Sequence, residues 1–269
     1  MNLNLVARAL KERWRGVSIF GLSLFLYAWM LMSLIPVFLK NVQFRGLIAQ
    51  YPKALLNLAA GASNVDFFTV EGFMTIEFLA LWFPIIILVF AVAFATPMVA
   101  KEINEGTIDF LMSQPISRQS LIVSRFGALK LYLIALTTIA LGSLYLLAPF
   151  YDAKLKIRGI LVTGLLALVF FLAISAYTLF LSLILKERGQ AIVASVSIFV
   201  ASHLLNALAD FSDTLKKFQF LSMFKYYQPY KTLTTGDVPW RDIGIFLAIT
   251  VIFLVGSLLV FRRKDITTA

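Results

Sequence analysis

Six stretches of this chain run for about 19 residues or more with no Lys, Arg, Asp or Glu: Gly16 to Leu39, Phe78 to Ala100, Leu131 to Phe150, Gly159 to Leu185, Ala191 to Ala209 and Ile243 to Phe261. A helix needs about 20 apolar residues to cross a hydrocarbon core about 30 Å thick. Each run is therefore a candidate span. Together they hold about half of the 269 residues and none of the 24 Lys and Arg or 14 Asp and Glu. The chain is 60% hydrophobic and 14% charged, against roughly 45–50% and 25% in soluble domains. The fold class that follows is an all-α polytopic membrane protein of six transmembrane helices.

The first run is longer than the core of a signal peptide and no small-residue cleavage site follows it, so it is expected to be retained. An even number of spans puts both termini on one side. The clusters Arg8, Lys11, Arg13, Arg15 and Arg262, Arg263, Lys264 favour a cytoplasmic location for both ends, because loops on that side carry the excess of Lys and Arg. Lys154, Lys156 and Arg158 weigh against that orientation. The net charge of +10 is explained by such anchors at anionic headgroups, and nucleic acid is not an expected partner.

Residues 1–15 are expected to form an amphipathic interfacial helix. Leu3, Val6, Ala7, Leu10, Trp14 and Val17 follow helical spacing, with Asn4, Arg8, Lys11, Glu12 and Arg15 opposite. Residues 16–261 would form the membrane domain and 262–269 a cytoplasmic tail. Pro36, Pro84 and Pro97, with Pro149 near an end, are potential kinks. The pairs Ala191 and Ser195, Ser197 and Ala201, and Gly244 and Ala248 are small residues at a spacing that lets helices approach closely.

Enzyme chemistry is nearly closed off. There is no cysteine and one histidine, His203, which excludes thiol nucleophiles and Cys-ligated metals and makes a hydrolytic triad or a His-based metal site improbable. No catalytic residue and no metal site is expected. His203, Asn206 and Asp210 fall near the outer end of the fifth run on one polar stripe, and intramembrane ionisable groups are functional suspects. A phosphate-binding loop is also missing. Gly16 and Gly21, and Gly159 and Gly164, have the glycine spacing, but Leu22 and Leu165 stand where lysine is required.

The connection between the second and third runs is the most informative. As a helix, it places Glu102, Glu105 and Asp109 on one face and Ile103, Gly106, Thr107, Phe110 and Leu111 on another. Pro115 ends that helix and Ser117 can cap the next. The outer connections 40–77 and 210–240 are long. Tyr51 to Ala60 is a candidate surface helix. Phe211, Phe218, Phe220, Phe224, Tyr226, Tyr227 and Tyr230 read as interfacial anchors or as a segment that partly re-enters the membrane.

The stretch Glu102-Ile103-Asn104-Glu105-Gly106-Thr107-Ile108-Asp109-Phe110-Leu111-Met112-Ser113-Gln114-Pro115-Ile116-Ser117-Arg118 resembles the inner-loop signature of the type-2 ATP-binding-cassette transporter permeases in their small six-span form. Weaker echoes are Leu221-Ser222-Met223-Phe224-Lys225-Tyr226-Tyr227 and Phe261-Arg262-Arg263-Lys264-Asp265-Ile266. The resemblance implies that about 102–113 is a cytoplasmic coupling helix seated on a separate ATPase. Glu102, Glu105, Gly106, Thr107, Asp109, Phe110, Leu111, Pro115 and Arg118 would be the coupling residues. It further implies an exporter with two ATPase copies and a second permease copy, in the cytoplasmic (inner) membrane of a prokaryote. ATP and Mg would bind the ATPase, and this chain would hold no cofactor. The alternatives are a secondary transporter that needs no ATPase and an intramembrane lipid-modifying enzyme; the runs lack the buried charge the first favours and the polar constellation the second needs.

Overall fold

The computed structural model describes residues 3–40, 65–95, 118–185 and 187–263. Without water, a spanning backbone must satisfy its own amides and carbonyls, and the charge-free runs do so as helices. These are α1 (Leu3–Lys40), α2 (Val70–Met74), α3 (Trp82–Ala95), α4 (Arg118–Leu147), α5 (Ile157–Ile184), α6 (Arg188–Leu208), α7 (Asp213–Phe218), α8 (Pro229–Thr235) and α9 (Trp240–Arg263). A π-helical segment, Thr75–Leu79, links α2 to the turn before α3. Six candidate spans result, the second made of α2, the π segment and α3, and no strand occurs among the described residues.

The helices overrun the apolar runs that announced them. Long polar side chains reach the headgroups while their backbones stay helical, so α4 begins at Arg118 and α9 at Trp240 rather than at Leu131 and Ile243. A larger difference lies at the N-terminus. The expected boundary between an interfacial helix ending at residue 15 and a span starting at 16 is absent, and α1 runs unbroken for 38 residues, about 57 Å at 1.5 Å per residue. Its first turns pack on the middle of α4, where the Tyr132 hydroxyl donates to the Leu10 and Ala9 carbonyls. The apolar stripe read as membrane-facing thus buries Val6 within the protein.

α1 and α4 run parallel. Leu10 meets Tyr132, Gly21 lies opposite Ile139, and Trp29 Nε1 donates to the Tyr151 hydroxyl at 2.8 Å. α5 and α9 are a second parallel pair, joined through Phe170 and Phe246 (5.3 Å between ring centres), Tyr177 and Phe253 (6.3 Å), and Gly256 against the Phe180 ring. α5 is the hub, packed by α3, α4, α6, α8 and α9. Its most apolar stretch is 78% buried, against 22% for α6 and α9, so α6 and α9 present most of their apolar surface outward.

Pro36 is accommodated inside α1, whereas Pro84 falls just after the π segment and Pro149 within the 3₁₀ turn Ala148–Tyr151. Ala191 and Ser195 are buried. The Tyr177 hydroxyl donates to the Ser195 carbonyl at 3.3 Å, so this small pair serves the α5–α6 contact inside the protomer. Ser197, Ala201, Gly244 and Ala248 face outward.

Candidate functional site

Of the expected coupling residues, Glu102, Glu105, Gly106, Thr107, Asp109, Phe110, Leu111 and Pro115 lie outside the described residues, as does the candidate surface helix Tyr51 to Ala60. Arg118 is the first residue of α4, with its side chain outside the description. The two helices that the segment joins are well placed to feel it. α3 and α4 both pack on α5, and the first turns of α4 bury Leu121, Ile122, Ser124 and Phe126. Beside them Arg125 interacts with Glu12 of α1, with Arg8 and Arg13 as like charges nearby.

His203 and Asn206 lie on one side of α6, where they meet the chain returning from α7. The His203 ring stands edge-on to Phe224 at 4.9 Å, and Gln219 Nε2 donates to Asn206 Oδ1 at 3.2 Å. His203 Nδ1 is buried with no hydrogen-bond partner among the described residues. Asp210 falls in the 3₁₀ turn Ala209–Phe211 that follows α6, and its side chain is outside the description. Next to the stripe, the buried Ser202 and Ser222 lock together: the Ser222 hydroxyl donates to the Ser202 carbonyl at 2.6 Å, and the Met223 amide donates to the Ser202 hydroxyl at 2.8 Å.

From Ser222 to Thr235 the connection between the fifth and sixth spans enters the bundle. Tyr227 stacks on Phe170 at 4.4 Å with an interplanar angle of 11°. Phe170 lies 13 residues into α5, roughly 20 Å along the helix at 1.5 Å per residue. Irregular backbone at such depth persists only where protein covers it, and the cover is aromatic. Phe224 lies 5.3 Å from Phe170 and 5.1 Å from Phe199. The interfacial and re-entrant readings divide the aromatic residues between them: Phe224 and Tyr227 are buried, while Phe211, Phe218 and Phe220 are exposed.

α8 is seated directly on the first turns of α5. Gly159 makes room for it, since a Cβ there would lie 2.1 Å from the Leu233 carbonyl oxygen. One turn further the buried Thr163 and Thr232 hydroxyls share a 2.8 Å hydrogen bond. Gly236 ends α8 in the left-handed region at φ 69°, which glycine adopts without strain, and its carbonyl accepts from Arg158 Nε at 3.0 Å.

Against this inserted chain lies the break in the second span. The Ala80 amide donates to the Thr75 carbonyl at 2.7 Å, five residues back. A continued pattern would ask position 84 for an amide to serve the Leu79 carbonyl, and Pro84 has none. The Tyr227 hydroxyl fills that role at 3.1 Å. Two residues earlier, the Glu77 carbonyl accepts from the Tyr27 hydroxyl of α1 at 2.7 Å. A third tyrosine holds the approach to α2, where the Asp66 amide donates to the Tyr230 hydroxyl at 3.1 Å. There Thr69 caps α2, accepting from the Gly72 amide at 3.0 Å.

Sequence reasoning did not single out Tyr27 or the π segment. Glu77 marked the end of a charge-free run, which left out the N-terminal portion of the second span from Val70, and Pro84 was the one local signal of a break. The basic residues that opposed the assigned orientation also gain an explanation in part, since Arg158 holds the end of α8.

No curated protein matches the chain in sequence. The profile of the ABC-2 family transporter proteins matches residues 4–266, which takes in all six spans and the connections between them. With a helical bundle of that span number and nearly the full length matched, the chain belongs to the ABC-2 family of transporter proteins and is a membrane transport component of ABC transporters.

Proposed function

We propose that this chain is the permease subunit of an ATP-binding-cassette exporter, driven by ATP hydrolysed on a separate ATPase subunit. The observation that carries the reading is the signature from Glu102 to Arg118, set between the second and third spans of a chain that matches the family from residue 4 to 266. Gly106 would let the partner's backbone approach closely. Phe110 and Leu111 would be the apolar anchors, and Glu102, Glu105 and Asp109 would meet basic residues of the partner.

The packing supplies a route for the displacement. A push on the segment 96–117 reaches α3 and α4, and both bear on the buried hub α5. Two permease copies, forming a homodimer, would join two ATPase subunits that hold ATP and Mg. Both termini and the coupling helix would lie in the cytoplasm of a prokaryote. Cargo would leave along a path that the outer halves of the spans close.

The test is whether an adjacent reading frame encodes a soluble protein with a phosphate-binding loop, followed by its co-expression and co-purification with this chain and measurement of ATPase stimulation in liposomes. The wild-type pair is expected to co-purify. A Glu105→Ala, Phe110→Ala double variant is expected to bind the ATPase at least about tenfold more weakly, the size of effect typical of interface anchors, while remaining folded. Undiminished binding and stimulation by the double variant would overturn the assignment.

A further inference from the structure

We propose that the π segment of the second span is a hinge for the outer mouth of the bundle, and that Tyr27 and Tyr227 are positioning residues that latch it shut from two sides. The hinge lies between two rigid pieces. On one side α2 is capped by Thr69 and tied through the Asp66 amide to Tyr230. On the other, α3 is built into the core by Phe83, whose ring meets Phe171 of α5 edge-on at 4.9 Å. Between them the helical hydrogen-bond pattern changes from four-residue to five-residue spacing and stops at the turn before Pro84. Changes of that kind are where helices bend, and π segments inside helices recur at functional positions.

The two latches come from elements that do not belong to the second span. Tyr27 reaches the Glu77 carbonyl from α1, and Tyr227 reaches the Leu79 carbonyl from the inserted chain. Both carbonyls belong to the π segment, and both hydroxyls are separable from the ring packing that surrounds them. Phe78 and Tyr27 lie 5.6 Å apart between ring centres, and Tyr227 keeps its stack on Phe170 without its hydroxyl. Swinging α2 outward breaks the two phenol hydrogen bonds and also uncovers Phe73, packed on Phe38 at 4.5 Å between ring centres, and the buried Met74, so the latches add to an apolar seal that holds α2 in place. Because the latches attach to different neighbours, a shift of α1 or of the inserted chain releases one or the other. Opening of the outer mouth then responds to movement in either.

The hinge serves the transport function proposed above, yet it can be read in the chain without any ATPase, so failure of one reading leaves the other standing. The chain contains no cysteine, so introduced thiols report without background. Thr75, fully buried in the π segment, and Ser143, buried in α4, are replaced separately: Thr75→Cys reports the hinge, and Ser143→Cys is the reference. The full-length protein is placed in liposomes of phosphatidylethanolamine and phosphatidylglycerol, with a charged maleimide on both sides of the membrane.

Adding Tyr227→Phe or Tyr27→Phe is expected to raise the labelling rate of Thr75→Cys about fivefold each, the population change produced by losing one net hydrogen bond of about 1 kcal/mol. The Ser143→Cys rate is expected to stay unchanged. Equal acceleration at both thiols would mean general loosening and would overturn the proposal. So would an unchanged rate at Thr75→Cys in both phenylalanine variants. Should one of these variants fail to reach the membrane, the other decides alone, since each latch predicts the same local change.

Discussion

A methyl group at position 159 would test how α8 is seated. In Gly159→Ala the new Cβ would sit 2.1 Å from the Leu233 carbonyl oxygen and 3.0 Å from its carbon. Ordinary contact begins at 3.4 Å, so α8 has to retreat by about 1.3 Å, and backbone cannot rotate aside as a side chain can. Overpacking of this kind costs about 1–3 kcal/mol. The retreat also stretches the Thr163–Thr232 and Arg158–Gly236 hydrogen bonds, worth about 1 kcal/mol each. The total of about 3–5 kcal/mol corresponds to a fall in melting temperature of roughly 6–10 °C at about 2 °C per kcal/mol for a chain of this size. Gly164→Ala is the control. There the new Cβ meets the flexible end of Leu141 at 3.1 Å, and a loss below about 1 kcal/mol is expected. Thermal unfolding of both variants in the same lipid nanodiscs decides the matter: equal melting temperatures for the two alanine variants would refute the close seating of α8 on α5.

Three further outcomes are expected. Tyr132→Phe removes the hydroxyl that holds the Leu10 carbonyl and should speed hydrogen exchange of amides in residues 3–15 about fivefold, for a bond of about 1 kcal/mol; unchanged protection would show that this contact does not hold the N-terminal turns. Thr163→Val breaks a buried hydroxyl pair and should cost about 1–2 kcal/mol, whereas Thr178→Val, at a buried hydroxyl with no hydrogen-bond partner among the described residues, should be neutral or stabilising; chemical unfolding that ranks them the other way would contradict the assigned partners. In Gly72→Ala a Cβ would fall 1.7 Å from the Asp66 carbonyl oxygen, so the capped turn before α2 should open and become a site of limited proteolysis, and full resistance would argue against that turn.

The spans were legible because absence of charge is a long, redundant signal: all six runs are helical over most of their described length, the turn at 80–81 excepted, and one substitution would not have hidden any of them. The ends were not. Arg125, Lys130 and Arg241 sit within helices, because a charged side chain can leave the apolar layer while its backbone remains helical. The family was legible in the stretch from Glu102 to Arg118, and the match over residues 4–266 agrees with it. The aromatic content between the fifth and sixth spans pointed to the membrane, but composition does not separate the buried Tyr227 from the exposed Phe220. That choice is made by partners distant in sequence, Leu79 and Phe170. The π segment was hidden for the same reason, since its bonding is completed by phenols from α1 and from the chain after α7.

The parallel pairing of α1 and α4 carries a mechanical corollary. The two helices are pinned at Leu10 and Tyr132, midway along α4, meet closely at Gly21 and Ile139, and are pinned again by Trp29 and Tyr151. Two helices fastened at two separate points along their length resist sliding past each other between those points. Tyr27 lies on that fastened stretch, two residues before Trp29, so the hydroxyl that holds the Glu77 carbonyl is carried by α1 and α4 together.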